Sequence, residues 1–149
     1  QDSVDSRYEL ALRLCEDIPN DVTVLAYNMS FEKGVIKRLA TLFEEFSEHL
    51  LAINDNMQDL MIPFQKKWYV TPSMQGSYSI KYVLPAIAPE FTYQNLEIQE
   101  GGTASDLYLQ SIENKGFVET TLSRNLLKYC ERDTEAMVII YQFLINKIY

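Results

Sequence analysis

The stretch Val24–Ala40, VLAYNMSFEKGVIKRLA, decides which fold the sequence predicts. It begins inside VTVLAY, a short apolar run bounded by turn-forming residues, which is typical of a buried strand. After an asparagine, the apolar spacing becomes that of an amphipathic helix. Glu32 falls within the apolar stripe of that helix, where a carboxylate is costly unless it is paired, protonated or bound to a metal ion. The alternative is a structural role, because Glu32 lies in the first helical turn, where the helix dipole and capping both favour glutamate.

Elsewhere the apolar periodicity predicts mostly helices, with a second short strand in MQDLMIPF that ends at Pro63. Strand, helix and strand with further helices form an α/β pattern. Two strands are too few for a stable parallel sheet, so we expect the remaining strands upstream and a mostly helical fragment. The predicted helices are Ser6 to about Asp17, about Ser30 to Ile53, about Ser79–Leu84, about Thr103 to Glu113 after a Gly101-Gly102 turn, and about Thr121 to Lys147.

A second acid lies on the apolar side of the final predicted helix. Asp133 falls in the middle of its apolar stripe, and Tyr129 lies one turn earlier as a neighbour at i, i+4 spacing. Two inward carboxylates on separate helices favour a shared divalent cation, which takes anionic oxygen ligands from different elements. An ion pair with Arg or Lys is the alternative for Asp133. The predicted stripe comprises Leu122, Leu126, Cys130, Met137, Ile140, Leu144 and Ile148.

Composition limits the classes of function. The net charge of −8 and sequence pI of about 4.6 count against an extended nucleic-acid surface, since phosphate contacts need Lys and Arg. One histidine, His49, excludes a His-rich metal site, so carboxylates would hold Mg²⁺ or Mn²⁺. Cys15 and Cys130 form no disulfide framework, which favours a reducing, cytoplasmic setting. No apolar run reaches membrane-spanning length, so we expect no membrane partner.

Two motifs resemble those of a known enzyme class. YNMSFE, at residues 27–32, resembles the second motif of the DEDD 3′–5′ exonucleases, and YCERD, at residues 129–133, resembles the third motif of their tyrosine-bearing branch. More of the chain resembles a bacterial domain family of unknown function, thought to be a relative of those exonucleases. The matching stretches are YNMSFEKGVIKRLA, DLMIPF, GSYSIKYVLPAI, YQNLEIQEGGTAS and LLKYCERDTEAM.

The resemblance implies a ribonuclease-H-like fold and a role for each motif residue. Glu32 and Asp133 would bind two divalent ions, Mg²⁺ or Mn²⁺, and Tyr129 would orient the attacking water. Asn28 would hold the loop or contact the 3′ end of the nucleic acid. The reaction would be metal-assisted hydrolysis of a phosphodiester.

The sequence departs from the exonuclease pattern in two ways. The second motif normally ends in Asp, whereas Glu32 is one methylene longer. The first motif, Asp-x-Glu on the first strand, does not occur in Gln1–Asn28. The first residue is not Met, and the sequence ends directly after an apolar run. We therefore expect residues 1–149 to be a single-domain fragment without its N-terminal strands. We expect this fragment to be inactive. An open sheet edge would invite pairing with a second copy.

The sequence is also compatible with two other functions. A non-catalytic domain that binds nucleic acid or protein is favoured by the acidic charge and by Glu32, whereas the Tyr129 and Asp133 pair favours the enzyme. A helical interaction domain with internal ion pairs is the third interpretation.

Several further residues carry weaker functional signals. Ser77 and Lys81 could contact a phosphate at a helix start, or simply cap that helix. Asp59 is interpreted as a cap rather than a support for the metal site. Trp68-Tyr69 beside Lys66-Lys67 could stack a base next to positive charge, or pack as a loop on the core.

Overall fold

The computed structural model describes residues 5–91, 93–99, 101–113 and 121–148. The described chain is mostly helical with two short parallel strands, as predicted, while the ribonuclease-H-like fold stays a prediction. Short 3₁₀ helices span Glu44–Phe46 and Pro72–Met74. The other elements are α1 (Ser6–Asp17), β1 (Val24–Ala26), α2 (Ser30–Leu42), α3 (Ser47–Asp55), β2 (Met57–Asp59), α4 (Ile62–Gln65), α5 (Ile80–Ile87), α6 (Gly101–Glu113) and α7 (Thr121–Ile148).

The chain packs as two compact units, Gln1–Ile62 and Pro63–Tyr149. In the first unit β1 and β2 pair in parallel, with Val24 opposite Met57 and Ala26 opposite Asp59. Parallel strands need a crossover connection, which α2 and α3 provide here. The carboxyl ends of both strands therefore meet at one edge of the sheet. Each strand has only one strand neighbour in the described chain, and pairing of the open edge with a second copy stays a prediction.

The prediction of one long helix from about Ser30 to Ile53 is wrong. The helix ends at Leu42, and Phe43 leaves helical geometry with φ −128° and ψ 87°. The break lets α3 turn back against α2, so that Leu39, Leu50 and Ile53 share one buried cluster. Burial of both helices on one core outweighs the local preference to continue a single helix.

The apolar stripe predicted for α2, which includes Phe31, Val35, Leu39 and Leu42, is only partly buried. Phe31 is 70% exposed, whereas Ile36, Leu39 and Ala40 are buried. The side of α2 that meets α1 and α3 is therefore rotated away from Phe31. Glu32 itself is half-buried. Its inward position follows from packing of the helices rather than from a continuous apolar stripe.

In the second unit α7 packs against α5 and α6. Its buried positions include Ser123, Leu126, Ala136 and Ile140. Cys130 is exposed, so its predicted place in the apolar stripe is wrong. The buried line of α7 is narrower than the stripe on the helical wheel, because α5 contacts the side that carries Ala136.

The predicted Gly101-Gly102 turn is also wrong, because α6 begins at Gly101. The entropic cost of glycine applies chiefly to the interior of a helix, and Gly101 is the first residue of α6. Among the described helices, none combines the length and the apolar character needed to cross a membrane.

Neighbouring leucines on α3 test the packing of the first unit. Leu50 is fully buried, whereas Leu51 is 41% exposed. We expect Leu50→Ala to lower the free energy of unfolding by about 2–5 kcal/mol and Leu51→Ala by less than about 1 kcal/mol. Urea denaturation of both variants measures the difference, and equal losses would contradict the described orientation of α3.

Candidate functional site

The turn between β1 and α2 carries the first group of predicted site residues. Asn28 has a φ of 64°, in the left-handed region that asparagine tolerates better than most residues. Its side-chain oxygen accepts a hydrogen bond from the Ser30 hydroxyl at 3.0 Å, and its carbonyl accepts from the Phe31 N–H at 3.3 Å. Asn28 therefore holds the turn, while its contact with nucleic acid stays a prediction.

The carboxylate of Asp59 closes this turn from the neighbouring strand. It accepts hydrogen bonds from the backbone N–H groups of Asn28 at 2.9 Å and Met29 at 3.0 Å. It also accepts one from the N–H of Met61 at 2.9 Å. Met29, at the N-terminal boundary of α2, provides no side-chain cap. Asp59 thus acts as the cap of α2 from a distant part of the sequence, aided by the helix dipole.

Glu32 lies in the first turn of α2, where the negative charge of Asp59 acts on its carboxylate. One carboxylate oxygen of Glu32, Oε2, is buried and has no hydrogen-bond partner among the described residues. Burial raises the pKa of Glu32, and the negative charge of Asp59 raises it further, while the backbone N–H of Glu32 itself opposes the shift. Glu32 lies in the first helical turn, as predicted. This position provides no hydrogen-bond partner for Oε2 among the described residues. A cation would satisfy this oxygen.

Tyr129 and Asp133 lie together on α7, in the second unit. The Tyr93 hydroxyl donates a hydrogen bond to Oδ1 of Asp133 at 2.7 Å. The rings of Tyr93 and Tyr129 lie 6.2 Å apart between centroids. Leu84 and Ala136 are buried in the same cluster, so the pair borders an apolar core. Burial raises the pKa of Tyr93, and the hydrogen bond to Asp133 adds to the shift.

The hydrogen bond described at Asp133 thus comes from a tyrosine rather than from Arg or Lys. The adjacent Arg132 pairs with Glu135 at 3.4 Å, and its guanidinium lies 5.6 Å from the centre of the Phe91 ring. This arrangement differs from the ion pair that was the structural alternative for Asp133. Asp133 keeps a second carboxylate oxygen, and the tyrosine fixes the orientation of the group.

Ser77 and Lys81 lie at the start of α5. The Ser77 hydroxyl accepts a hydrogen bond from the Ser79 N–H at 3.2 Å, and Lys81 is half-buried. Ser79, the residue before the helix, makes no side-chain capping bond. Ser77 therefore orders the turn before α5, and a phosphate contact at this helix start stays a prediction.

The structure groups the predicted site residues into two sets. Asn28 and Glu32 lie with Asp59 in the first unit, whereas Tyr129 and Asp133 lie with Tyr93 in the second. No group of three or more His, Cys, Asp or Glu side chains within the described ranges is placed to hold a metal ion. The shared metal site of Glu32 and Asp133 stays a prediction.

Sequence reasoning missed Tyr93. It lies 40 residues before Asp133, at the start of the family-like stretch YQNLEIQEGGTAS, and neither periodicity nor that resemblance points to a contact with Asp133. The one usable signal is general: a buried tyrosine nearly always directs its hydroxyl at an acceptor.

Comparison with known proteins identifies relatives without assigned functions. The family DUF2779, described as a domain of unknown function, matches residues 1–79. The chain is 32% identical to the uncharacterized protein MG366 homolog of Mycoplasma pneumoniae, across 80% of this chain and 20% of that protein. It is 33% identical to the uncharacterized protein MG366 of Mycoplasma genitalium, across 84% and 21%.

A further relative is the uncharacterized protein UU173 of Ureaplasma parvum, which is 30% identical across 83% of this chain and 21% of that protein. The chain therefore spans about a fifth of the length of the curated relatives it matches. No solved structure matches the chain.

Replacing Asp59 tests its role as a distant cap. We expect Asp59→Ala to lower the free energy of unfolding by about 2–3 kcal/mol, because the backbone N–H groups of Asn28, Met29 and Met61 lose a charged acceptor. Asp59→Asn should cost less, since it keeps one acceptor oxygen. Asp55→Asn, at an exposed position on α3, is the matched control and should change stability by less than about 0.5 kcal/mol. Equal urea midpoints for all variants would refute the cap.

Removing the Tyr93 hydroxyl tests its bond to Asp133. Tyr93→Phe should cost about 1–2 kcal/mol of unfolding free energy, because the carboxylate of half-buried Asp133 loses its donor. Tyr141→Phe, at an exposed position on α7, should be nearly neutral. Thermal unfolding of both variants measures the difference, and a neutral Tyr93→Phe would show that the bond contributes nothing.

Alkaline pH should destabilise the fold through two tyrosines. Burial raises the pKa of both Tyr27 and Tyr93 above the ordinary value of 10.0, so the folded state holds these protons more tightly than the unfolded chain does. Their contribution is complete below pH 10 and is lost as pH rises through the folded pKa values. The melting temperature should fall above pH 10, and less steeply in the Tyr27→Phe/Tyr93→Phe double variant than in the unmodified chain.

Proposed function

Since the chain belongs to the DUF2779 family of bacterial domains, we propose that it forms part of a metal-dependent 3′–5′ exonuclease-like domain. The domain would have the ribonuclease-H-like fold and hydrolyse nucleic acid phosphodiesters in the cytoplasm. The chain alone, without an Asp-x-Glu motif before Asn28, would be inactive. The resemblance of residues 27–32 and 129–133 to two exonuclease motifs motivates this proposal.

The observation that carries the proposal is the buried Oε2 of Glu32, which has no hydrogen-bond partner in the part of the chain that the structure describes. An unsatisfied carboxylate oxygen costs free energy at neutral pH, and a divalent cation would remove that cost. Glu32 follows Asn28, whose turn is fixed by Asp59 at the carboxyl edge of the parallel strands. Ligands commonly bind at this edge in α/β sheets. Glu32 therefore fits a hard cation by its chemistry and its position.

The residues of the second unit fit the remaining roles. Asp133 offers a carboxylate whose orientation is fixed by the Tyr93 hydroxyl. Tyr129 lies one helical turn away, so its hydroxyl could position a water molecule while Asp133 serves as ligand. The bound Mg²⁺ or Mn²⁺ would lower the pKa of that water and stabilise charge on the phosphoryl oxygens. Asn28 would keep the turn that carries Glu32 in place.

A non-catalytic nucleic-acid- or protein-binding domain is the second candidate. Asp59 accepts hydrogen bonds from three backbone N–H groups, and Asp133 accepts one from Tyr93. Both carboxylates thus act as structural acceptors, which favours a non-catalytic domain. In this case Glu32 would remain a buried acid without a cation.

A thermal unfolding experiment with Mn²⁺ tests the role of Glu32. In EDTA at pH 7, Glu32→Gln should be at least as stable as the unmodified chain, because it removes a buried charge. Mn²⁺ at about a hundred times its dissociation constant should stabilise the unmodified chain by about 2.7 kcal/mol and leave Glu32→Gln unchanged. Glu48→Gln is the matched control, because Glu48 is an exposed acid in the first turn of α3. Equal stabilisation of all three would exclude Glu32 as ligand.

A nuclease assay tests the reaction. The longest natural protein that carries residues 1–149 is incubated with Mn²⁺ and 5′-labelled single-stranded DNA or RNA. We expect stepwise shortening from the 3′ end, a loss of at least about a hundredfold in Asp133→Asn, and a smaller loss in Tyr129→Phe. A folded protein that binds the oligonucleotides but never shortens them would favour the non-catalytic alternative.

A further inference from the structure

One segment of this acidic protein carries only positive charge. Residues 60–89 contain Lys66, Lys67 and Lys81 and no Asp or Glu, and no other stretch without an acid is as long. All 21 acidic residues lie outside it, with the remaining ten basic residues. The segment therefore has a local charge of opposite sign to the chain, which has a net charge of −8. An excess of positive charge within one segment favours an anionic ligand.

The backbone holds the first part of this segment in a fixed hook. After α4, the Lys67 N–H donates to the Phe64 carbonyl at 3.1 Å, and the Trp68 N–H donates to the Pro63 carbonyl at 2.8 Å. These are the two bonds of a Schellman motif, with Lys67 at the left-handed position, φ 59°. Glycine adopts this conformation without the cost that lysine bears. A charged side chain therefore occupies a position where the fold alone favours glycine.

The hook fixes the backbone of Trp68 while leaving its ring in solvent. Trp68 is 70% exposed, and Val70 beside it is 54% exposed. The Lys66 ammonium lies 5.5 Å from the centre of the Trp68 ring. An exposed indole with an adjacent ammonium combines a flat stacking surface with a contact for phosphate.

A cavity of about 210 Å³ opens in the same segment. Buried Phe64 and Met74 contribute apolar surface, and Lys67, Val70 and Tyr78 line it further. The described residues that line it all lie between positions 64 and 78. The volume is below the range of about 300–1,000 Å³ of pockets for drug-sized ligands. It is thus suited to one flat ring rather than to a whole cofactor.

Ordered turns shape the far side of this cavity. Gln75 has a φ of 51° and Gly76 one of 76°, so two successive residues adopt left-handed backbone. The Gln75 N–H donates to the Pro72 carbonyl at 3.0 Å, and the Ser77 N–H donates to the Met74 carbonyl at 2.9 Å. The cavity is therefore built by hydrogen-bonded turns on both sides, which favours a preformed site.

We propose that residues 64–78 form a binding site for single-stranded nucleic acid. One base stacks on Trp68, a neighbouring base enters the cavity beside Tyr78, and Lys66 and Lys67 contact the phosphates. A mostly acidic protein limits the contact to a few nucleotides. This site needs no metal ion and does not depend on hydrolysis, so it holds for a catalytic or a non-catalytic domain.

The single tryptophan of the chain provides a direct test. The 149-residue chain is titrated in EDTA with ten-nucleotide oligo(dT) and oligo(U), and Trp68 fluorescence is followed. We expect saturable quenching that weakens as salt rises, because stacking quenches the indole and lysines release counterions. The DNA and RNA arms show which strand binds more tightly.

Fluorescence anisotropy of a labelled oligonucleotide compares the variants. Trp68→Ala should weaken binding roughly 5- to 100-fold, as for the loss of one stacked base. Tyr141→Ala, an exposed aromatic on α7, is its control and should bind normally. Lys67→Gly should weaken binding several-fold while the fold is kept or stabilised, since glycine suits that backbone position.

Lys66→Ala is compared with Lys147→Ala. The Lys147 ammonium also lies 5.5 Å from the centre of an aromatic ring, that of Phe143, but outside the segment. Only Lys66→Ala should weaken binding. Absence of quenching, equal losses in both lysine variants, or equal binding of heparin with no change in Trp68 fluorescence would each overturn the proposal. Normal binding by Glu32→Gln and Asp133→Asn would separate this site from the proposed metal chemistry.

Discussion

The first unit depends on one carboxylate that joins distant parts of the chain. Asp59, at the end of β2, accepts hydrogen bonds from the backbone N–H groups that follow β1 and thereby caps α2. The bond fixes the register of Ala26 against Asp59, the left-handed turn at Asn28 and the first turn of α2 together. The position of Glu32 follows from these constraints. The charge of Asp59 is thus used by backbone donors beside Glu32, whose Oε2 has no partner among the described residues.

The sequence was informative where local signals agreed with tertiary packing. The start of α1 at Ser6, the run around β1 and the length of α7 follow from caps, β-branched residues and periodicity. Helical wheels placed Glu32 and Asp133 inward and both are half-buried, although the stripe drawn for α2 is only partly buried. The break at Phe43 was not, because residues 30–53 keep helical periodicity and only burial of α2 and α3 on one core decides against a single helix. Tyr93 was hidden because a contact across 40 residues has no local pattern.

The acids of the two candidate sites differ in whether their carboxylate oxygens have hydrogen-bond partners. In the first unit an acid is costly because its partner is absent from the described residues, and that cost suggests a cation. In the second unit an acid accepts a hydrogen bond from a tyrosine, and that contact both orients the carboxylate and stabilises the fold. Segment 64–78 bears a cost of another kind, since lysine adopts a backbone conformation that suits glycine. The costs at Glu32 and Lys67 are local, and each identifies a position where stability alone would select another residue.

The long sequence separation of the Asp59 contact has a consequence for folding kinetics. Asp59 and Asn28 are 31 residues apart, and both helices of the crossover lie between them. The entropy of closing that loop is lost before the bonds form, so α2 and α3 must pack before the carboxylate reaches its donors. We therefore expect the hydrogen bonds of Asp59 to form late, after the rate-limiting barrier. Interactions that form after the barrier slow unfolding and leave the folding rate almost unchanged. We expect the lifetime of the native state, rather than its rate of formation, to depend on Asp59.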